Sequence, residues 1–408
     1  MNNEPLFIAE SSISPPPYGR SIWENPTWNG AVLPEHDSTV GPRNAAVNSL
    51  RSAPLPTTRT SPANRIPSAL NNTHSVADRN PRTTSGGSAG SVGVPVLCYH
   101  HTFSGNESFG GYNIPPDRLE RQFQQLLAEG YQSISLRQFT GAMRGELHGL
   151  PDKPVLITFD DGLLSNYTEA WPLLKKYNLR AVLFLYPTIL SAGKNNYLNW
   201  DQARTLARSD LIEIGSHTLW HPLLPSMSEL EIEKQLVESR RTLQTRLGVS
   251  VTALAYPFGV YDRRVLAAAR KAGYDLAFTI QPGQNLPGDD VYTLNRYMVT
   301  GSQSPATFQA MLALRSADDI RIAPADGEYV RFGESVEIRT QNISNVTAQL
   351  NGKAITLHNH GSEYRGLLPE SRTSRGYLPL VIRGRDAHGN SVYREFLYLE
   401  KTHFAHNQ

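Results

Sequence analysis

From residue 94 onward the chain alternates short apolar runs with segments of helical periodicity, and this alternation limits the possible folds more than any other feature. The apolar runs are rich in β-branched and aromatic residues, which is typical of buried strands. The runs are VPVLCYH (94–100), VLITF (155–159), RAVLFLYP (180–187), IEIGSH (212–217), ALAYP (253–257) and YDLAFTI (274–280). A strand–helix order of this kind predicts an α/β fold built on a parallel sheet or barrel.

The helical segments between these runs carry recognisable end signals. The longest, residues 228–248, has Ser228 as its predicted N-cap, Glu231 three residues later and Gly248 as its predicted C-cap. Residues 164–178 also have helical spacing, although Pro172 interrupts it. These signals support the placement of a helix between successive strands.

Two flanking regions differ from this α/β unit in composition. Residues 1–92 hold 12 of the 28 prolines and no lysine, so they can bury little apolar surface and are predicted to be mostly disordered. We interpret them as a solvated linker, with a docking or export segment as the alternative. Helical periodicity is absent beyond about residue 317, and short runs separated by turn residues predict a small, Ig-like β-sandwich over 317–402. The middle unit then spans 93–316.

Composition excludes several classes of protein. The net charge is +2, so nothing in the charge balance indicates a nucleic-acid partner. The single cysteine, Cys98, allows no intramolecular disulfide. No run approaches the roughly 20 apolar residues of a transmembrane helix. The N-terminus, MNNEPLFIAESS, lacks the basic region of a Sec signal peptide, so the sequence indicates no Sec export.

Polar residues of catalytic type follow two of the predicted strands. Asp160 and Asp161 come directly after the strand 155–159. His217 is the last residue of IEIGSH, and His221 follows four residues later. Reactive residues of parallel α/β proteins cluster at such carboxyl ends. Two histidines and one carboxylate would leave a coordination position open for water, as in catalytic zinc sites. Each pattern alone has an ordinary alternative: surface histidines, or a turn with an N-cap at Asp-Asp-Gly.

Three segments together resemble the NodB homology domain, which comprises the polysaccharide deacetylases of carbohydrate esterase family four. They are ITFDDG (157–162), SHTLWHP (216–222) and AYPFG (255–259), and the resemblance runs from about Pro95 to about Leu314. It implies an irregular (β/α) barrel and a hydrolase that removes N-acetyl groups from N-acetylglucosamine units of a polysaccharide, releasing acetate. It also implies one divalent metal ion, usually zinc.

The resemblance assigns roles to individual residues of this chain. Asp160 resembles the general base of the family. Asp161, His217 and His221 resemble its three metal ligands. Tyr256 stands where the family uses a backbone N–H to hold the oxyanion.

The sequence departs from the family pattern in two places. Many members have an arginine before the prolines of the third segment, where this chain has Ala255, and no clear Leu-x-His motif occurs late in the domain. Tyr99-His100, after the first strand, instead resembles the branch that includes the poly-β-1,6-N-acetylglucosamine deacetylases. His100 is therefore the candidate general acid, with a strand-capping structural histidine as the alternative. Strand alternation makes His101 the weaker candidate.

Two further residues are candidates for the site. Arg296 could hold the carboxylate of Asp160, and a surface ion pair is the equal alternative. Trp200 is a candidate for the lining of the sugar cleft, beside Asp201, which serves equally well as a helix-start residue.

The leading hypothesis is a metal-dependent N-deacetylase, and the branch resemblance favours an exopolysaccharide of the poly-N-acetylglucosamine type. A non-catalytic carbohydrate-binding protein and an O-acetyl esterase of the xylan type are the alternatives. The polymers of the family lie outside the cytoplasm, so secretion is expected from the resemblance, although no Sec signal is visible.

Overall fold

The computed structural model covers the α/β unit and the region that follows it. It describes residues 93–103, 111–146, 148–314, 319–371 and 373–404. The predicted disordered segment, 1–92, lies outside the described residues.

A parallel sheet of eight strands forms the centre of the α/β unit. The strands of this unit are β1 (Val96–Tyr99), β2 (His101–Thr102), β3 (Asn113–Ile114), β4 (Gln132–Ser133), β5 (Pro154–Phe159), β6 (Ala181–Leu185), β7 (Ile212–Ser216), β8 (Ala253–Ala255), β9 (Leu276–Phe278) and β10 (Tyr297–Met298). The sheet order is β10-β1-β5-β6-β7-β8-β9, with β4 joined to β5, and β2 pairs separately with β3. All neighbouring strands of the large sheet run parallel.

The large sheet curls so that its two edges approach each other. Phe278 of β9 forms a parallel bridge with Leu294, and three residues later Tyr297 of β10 pairs with Leu97 of β1. The segment leading into β10 therefore connects both edges. The predicted α/β fold is confirmed, and the predicted irregular (β/α) barrel takes the form of a curled parallel sheet.

Eight α-helices occur among the described residues. They are α1 (Pro116–Ala128), α2 (Leu136–Met143), α3 (Trp171–Tyr177), α4 (Pro187–Ser191), α5 (Trp200–Ala207), α6 (Glu229–Leu247), α7 (Arg263–Lys271) and α8 (Pro305–Ala313). The predicted ends of α6 are confirmed, since Ser228 and Glu231 form a capping box and Gly248 adopts a left-handed conformation with φ of 72°. Pro172 lies in the first turn of α3, which follows directly on a π-helical segment (Asn166–Ala170), so helical structure is present on both sides of the predicted interruption. No described helix has the length and apolar character needed to cross a membrane.

The strands of the sheet are apolar on both faces, which explains their unbroken hydrophobic runs. Helices cover one face, and α2 packs against the other through Phe139, near Leu156 and Val96. Along this second face the side chains become polar towards the carboxyl ends, where Cys98 of β1 pairs with Thr158 of β5. The alternation of a strand places His100 and Asp160 next on the same face. The site residues therefore continue the inner face of the sheet.

The C-terminal β region, residues 319–404, contains two sheets around a common core. Its strands are β11 (Arg321–Ala323), β12 (Glu328–Val330), β13 (Ser335–Arg339), β14 (Ser344–Leu350), β15 (Lys353–Ile355), β16 (His358–Asn359), β17 (Glu363–Leu367), β18 (Tyr377–Arg385) and β19 (Ser391–Glu400). The sheet orders are β11-β13-β17-β16 and β12-β19-β18-β14-β15. Apolar residues of both sheets form one cluster. The predicted β-rich region is thus present, and its Ig-like character stays a prediction.

The C-terminal β region packs directly on the α/β unit. Tyr377, Leu399 and Phe404 belong to the same apolar cluster as the core of the α/β unit. The Tyr261 hydroxyl donates to Asp326 at 2.6 Å, a second link between the two parts of the chain. The domain boundary near residue 317 stays a prediction.

Candidate active site and metal centre

Asp161, His217 and His221 come together at the carboxyl ends of β5 and β7. The distance from Nε2 of His217 to Oδ1 of Asp161 is 3.5 Å, and Nε2 of His221 lies 3.5 Å from the same oxygen. One ligand atom from each residue lies within 4.8 Å of the others. The three residues named as metal ligands by the resemblance therefore share one location.

The backbone adopts unusual conformations at this location. Asp161, Thr218, His221 and Phe258 have φ values of 70°, 67°, 63° and 61°, in the left-handed region. Residues other than glycine rarely adopt this conformation, which costs on the order of 1–3 kcal/mol each. The Thr218 hydroxyl accepts a hydrogen bond of 3.0 Å from the backbone N–H of His221, which stabilises the tight turn between the two histidines.

The donor set of this cluster fits a divalent cation. The Nδ1 atom of His217 lies 2.8 Å from the carbonyl oxygen of Ala255, which leaves Nε2 to face Asp161. The Oδ1 atom of Asp161 is buried and has no hydrogen-bond partner among the described residues. Ligand–zinc distances of about 2.0–2.1 Å place neighbouring ligands of a tetrahedral site about 3.3 Å apart, close to the separations seen here.

Both histidines are in the chemical form that binds a cation. Burial disfavours the charged imidazolium and lowers the pKa of His217 to about 4 and that of His221 to about 4. Both rings are therefore neutral at pH 7. Two neutral imidazoles and one carboxylate are a ligand set that would suit a catalytic zinc site.

Asp160 lies beside this cluster and pairs with Arg296. The Arg296 guanidinium donates to both carboxylate oxygens at 2.7 and 2.8 Å, and neither side chain is more than 2% exposed. Burial disfavours the carboxylate, but the charge and hydrogen bonds of Arg296 outweigh burial and hold the pKa of Asp160 well below its usual range. Since Arg296 is buried, the interaction is not a surface ion pair. The Cys98 thiol donates to Asp160 at 3.5 Å, and burial raises the pKa of that thiol.

His100 lies on the other side of Asp160. One ligand atom each of Cys98, His100 and Asp160 lie within 4.8 Å of one another. The imidazole stacks on Tyr112 at 4.9 Å between ring centres, and its Nδ1 atom is buried without a hydrogen-bond partner in the described part of the chain. His101 points elsewhere, with Nδ1 3.0 Å from Oδ1 of Asn113.

Tyr256 does not fit the role that the resemblance assigned to it. Its backbone N–H donates to the carbonyl of Phe278 at 3.0 Å, and its hydroxyl donates to the carbonyl of Tyr292. The N–H is therefore engaged in pairing β8 with β9 and is not available to an oxyanion. Phe258 is the residue of this segment that reaches the cluster, with its ring 4.8 Å from that of His221. No pattern in the sequence distinguished Phe258 from its neighbours.

Trp200 makes its observed contacts away from the cluster. Its indole N–H donates to the Ser191 hydroxyl at 3.0 Å, and Arg246 lies 4.5 Å from the centre of its ring. Asn199, not Asp201, is the N-cap of α5. The cleft-lining role of Trp200 stays a prediction that these contacts do not support.

Comparisons with known proteins agree with this geometry. The sequence profile of the family described as polysaccharide deacetylase matches residues 148–277. The protein named "Putative polysaccharide deacetylase YxkH" of Bacillus subtilis is 31% identical over 219 residues, which cover 54% of this chain and 76% of that protein.

Two further relatives carry the name poly-beta-1,6-N-acetyl-D-glucosamine N-deacetylase. The Escherichia coli K12 protein is 26% identical over 273 residues, 57% of this chain and only 40% of that protein. The Staphylococcus epidermidis protein is 27% identical over 221 residues, 50% of this chain and 74% of that protein. Among solved structures, the Streptococcus pyogenes deacetylase PplD in complex with acetate is similar, with a TM-score of 0.50, 26% identity, and coverage of 55% of this chain and 99% of that one.

Proposed function

The chain belongs to the polysaccharide deacetylase family of hydrolases, and on that premise we propose that it is a metal-dependent N-deacetylase that removes acetyl groups from N-acetylglucosamine units of a polysaccharide. The polymer we propose is an exopolysaccharide of the poly-β-1,6-N-acetylglucosamine type. Relatives from E. coli and S. epidermidis carry that substrate in their names, although the chain spans well under half of the E. coli protein.

One observation carries the proposal: a buried Asp161 oxygen, without a hydrogen-bond partner among the described residues, faces two neutral imidazoles directly beside an ionised Asp160. Asp161, His217 and His221 would hold the cation, and zinc is the ion we favour because the donors are two nitrogens and one oxygen. When bound, such an ion polarises an acetyl carbonyl and acidifies a nearby water.

Asp160 supplies the base in this proposal. Its carboxylate is ionised at neutral pH, and Arg296 fixes its orientation through two hydrogen bonds. It accepts the proton of the water that attacks the acetyl carbon. The same arginine makes the Asp160 carboxylate a weaker base. Arg296 therefore fixes the orientation of Asp160 but lowers its affinity for a proton.

His100 supplies the acid. The amide nitrogen of the acetyl group is a poor leaving group until it is protonated, so the reaction needs a proton donor near the base. His100 lies next to Asp160 on the inner face of the sheet, and its ring orientation is held by Tyr112. Protonated His100 then donates to the departing amine, leaving glucosamine and acetate.

The test is acetate release from purified polymers, with and without a chelator. We expect release from poly-β-1,6-N-acetylglucosamine, loss of release in the chelator, and recovery with added zinc. Release from acetylated xylan alone would instead identify an O-acetyl esterase. Binding of a polymer without acetate release from any would identify a non-catalytic carbohydrate-binding protein.

A further inference from the structure

The C-terminal β region reaches the active site through the turn that precedes β18. Arg375 lies in this turn, and its guanidinium carbon is 4.7 Å from the centre of the Phe258 ring. The same ring lies 4.8 Å from that of His221, and the charge of Arg375 acts on the His221 imidazole. Arg375 and a candidate metal ligand therefore share one aromatic neighbour, Phe258.

The turn that carries Arg375 is held firmly. Gly376 has φ of 71° and its backbone N–H donates to the Thr373 hydroxyl at 3.0 Å. The Gly376 carbonyl accepts from the N–H of Glu400 at 2.6 Å, and a Cβ at position 376 would lie 2.4 Å from His403. Such a fixed backbone is what a residue that contacts a substrate requires.

The residue that follows this turn, Tyr377, is buried in the core that the C-terminal β region shares with the α/β unit. It lies near the Arg375 guanidinium and near enough to Tyr112 for an electrostatic interaction. Tyr112 in turn stacks on His100. Residues 375–377 therefore lie near Phe258 and Tyr112, which contact His221 and His100 respectively.

We propose that Arg375 binds the sugar unit next to the one being hydrolysed and selects an N-acetylated unit over a glucosamine unit at that subsite. The proposal rests on the proposed function. The Phe258 ring is a shared neighbour of the Arg375 guanidinium, at 4.7 Å, and of the His221 ring, at 4.8 Å, so Arg375 lies near the candidate metal centre without belonging to its ligand set. That position suits contact with a neighbouring sugar unit.

The chemistry of the guanidinium determines the selectivity. Arginine carries five N–H donors and accepts no hydrogen bond, so it can bind hydroxyl and acetamide oxygens of a neutral sugar. A deacetylated neighbour presents a protonated amine, which adds like charge beside the guanidinium and offers no acetamide oxygen. Each deacetylation would therefore make the adjacent units poorer substrates, and the polymer would be deacetylated at spaced positions.

The test compares two β-1,6-linked pentasaccharides at pH 6. One is fully N-acetylated, and the other has a single acetylated unit between glucosamine units. We expect the unchanged enzyme to prefer the first in kcat/KM by about tenfold, the value of one hydrogen bond to a charged group. Arg375→Gln should lower kcat/KM on the first by about tenfold and bring the preference close to one.

Two further variants test the contribution of the positive charge and provide a control. Arg375→Lys retains the charge but not the planar fork, so it should keep much of the preference while binding more weakly. Arg385→Gln, at the far end of β18 where Arg385 donates to the Gly389 carbonyl, is the matched control and should behave as the unchanged enzyme. An Arg375→Gln variant with unchanged KM and unchanged preference would overturn the proposal.

A binding measurement distinguishes this proposal from the proposed function. Calorimetry with Asp160→Asn measures affinity for the acetylated pentasaccharide without turnover, and adding Arg375→Gln should weaken that affinity by about tenfold. Equal affinities would overturn the Arg375 contact even if the enzyme is active. Conversely, absence of acetate release by the unchanged enzyme from any polymer would overturn the proposed function, whatever the affinities are.

Discussion

At the scale of single residues, Asp160 is subject to two opposing influences. Burial disfavours its charge, while Arg296 stabilises it through two hydrogen bonds of 2.7 and 2.8 Å. Because the arginine prevails and holds the pKa of Asp160 well below its usual range, the carboxylate stays ionised at neutral and mildly acidic pH. An acid limb in the pH–rate profile would therefore come from another group.

The first prediction concerns Asp160→Asn. The amide can still accept one hydrogen bond from Arg296 but cannot take a proton from water, so kcat should fall by about 10²–10⁴-fold. Bound metal and substrate affinity should be retained, as measured by elemental analysis and calorimetry. A variant with near-normal kcat would show that the base is another residue.

The second prediction concerns His100→Ala. This change should keep the metal and lower kcat by about 10²–10⁴-fold, because the leaving amine then lacks its proton donor. The matched control is His101→Ala, which lies on the opposite face of the chain and pairs with Asn113. Near-normal kcat in His100→Ala would contradict the assignment of the acid.

The third prediction concerns the metal centre. The purified protein should carry about one divalent ion per chain, and His217→Ala or His221→Ala should release it because two ligands cannot replace three. His358→Ala, an exposed histidine of the C-terminal β region, serves as the control. A double variant at 217 and 221 that still holds a full equivalent of metal would refute the site.

The candidate site was largely predictable from the sequence because its ligands follow strands. A strand end is visible as the end of an apolar run, and Asp160, Asp161 and His217 stand there. The same reasoning did not predict that Phe258, and not Tyr256, reaches the metal cluster. The backbone reverses at Phe258 with φ of 61°, and no hydrophobic pattern reports such a reversal.

At the scale of elements, helices that lie between two recognised strands were predicted. The 19 residues of α6 carry a capping box and a glycine terminus, so both ends were predicted. The short helices α5 and α7, of eight and nine residues, were also expected between their strands. The eight residues of α2 and the nine of α8 were not assigned, although they are of the same lengths.

A buried acid on β19 gives the fourth prediction. Burial raises the pKa of Glu395 to about 7 from 4.5, and the Tyr393 hydroxyl donates to it at 2.5 Å. Between pH 4.5 and 7 the folded protein binds more protons than the unfolded chain, so the free energy of unfolding falls as pH rises.

Glu395→Gln should remove that dependence, because the amide resembles the neutral acid. We expect it to stabilise the protein at pH 8 by about 3 kcal/mol and to have little effect at pH 5. Thermal unfolding at the two pH values measures this, with Glu238→Gln on the surface of α6 as the control. Equal shifts at both pH values would contradict a neutral Glu395.

At the scale of the whole molecule, the C-terminal β region and the α/β unit share a core. Tyr377 and Leu399 pack with residues of the α/β unit, and Tyr329 donates to Asp262 at 2.7 Å. Sequence analysis predicted the β-rich region from its turn spacing but not its contact with Phe258 beside the candidate site. The contact between Arg375 and Phe258 joins positions more than a hundred residues apart, and nothing local encodes it.

The fifth prediction follows from this shared core. A chain that ends at residue 318 should lose acetate release even on short oligosaccharides, and its unfolding temperature should fall steeply because buried apolar surface becomes exposed. A chain that lacks residues 1–92 should keep both properties, since the composition of the deleted segment allows few buried contacts. Full activity in the chain that ends at 318 would show that the C-terminal β region is dispensable.

The left-handed residues around the cluster bear on how such an enzyme could be engineered. Glycine at Asp161, Thr218 or His221 would relax the backbone, and at two of these positions it would also remove a candidate metal ligand. A laboratory selection for heat resistance alone would therefore enrich variants that are better folded and inactive. The left-handed φ values of these turns lower the stability of the folded protein, and a thermostability screen favours substitutions that remove this cost. Such a screen therefore needs a simultaneous selection for turnover.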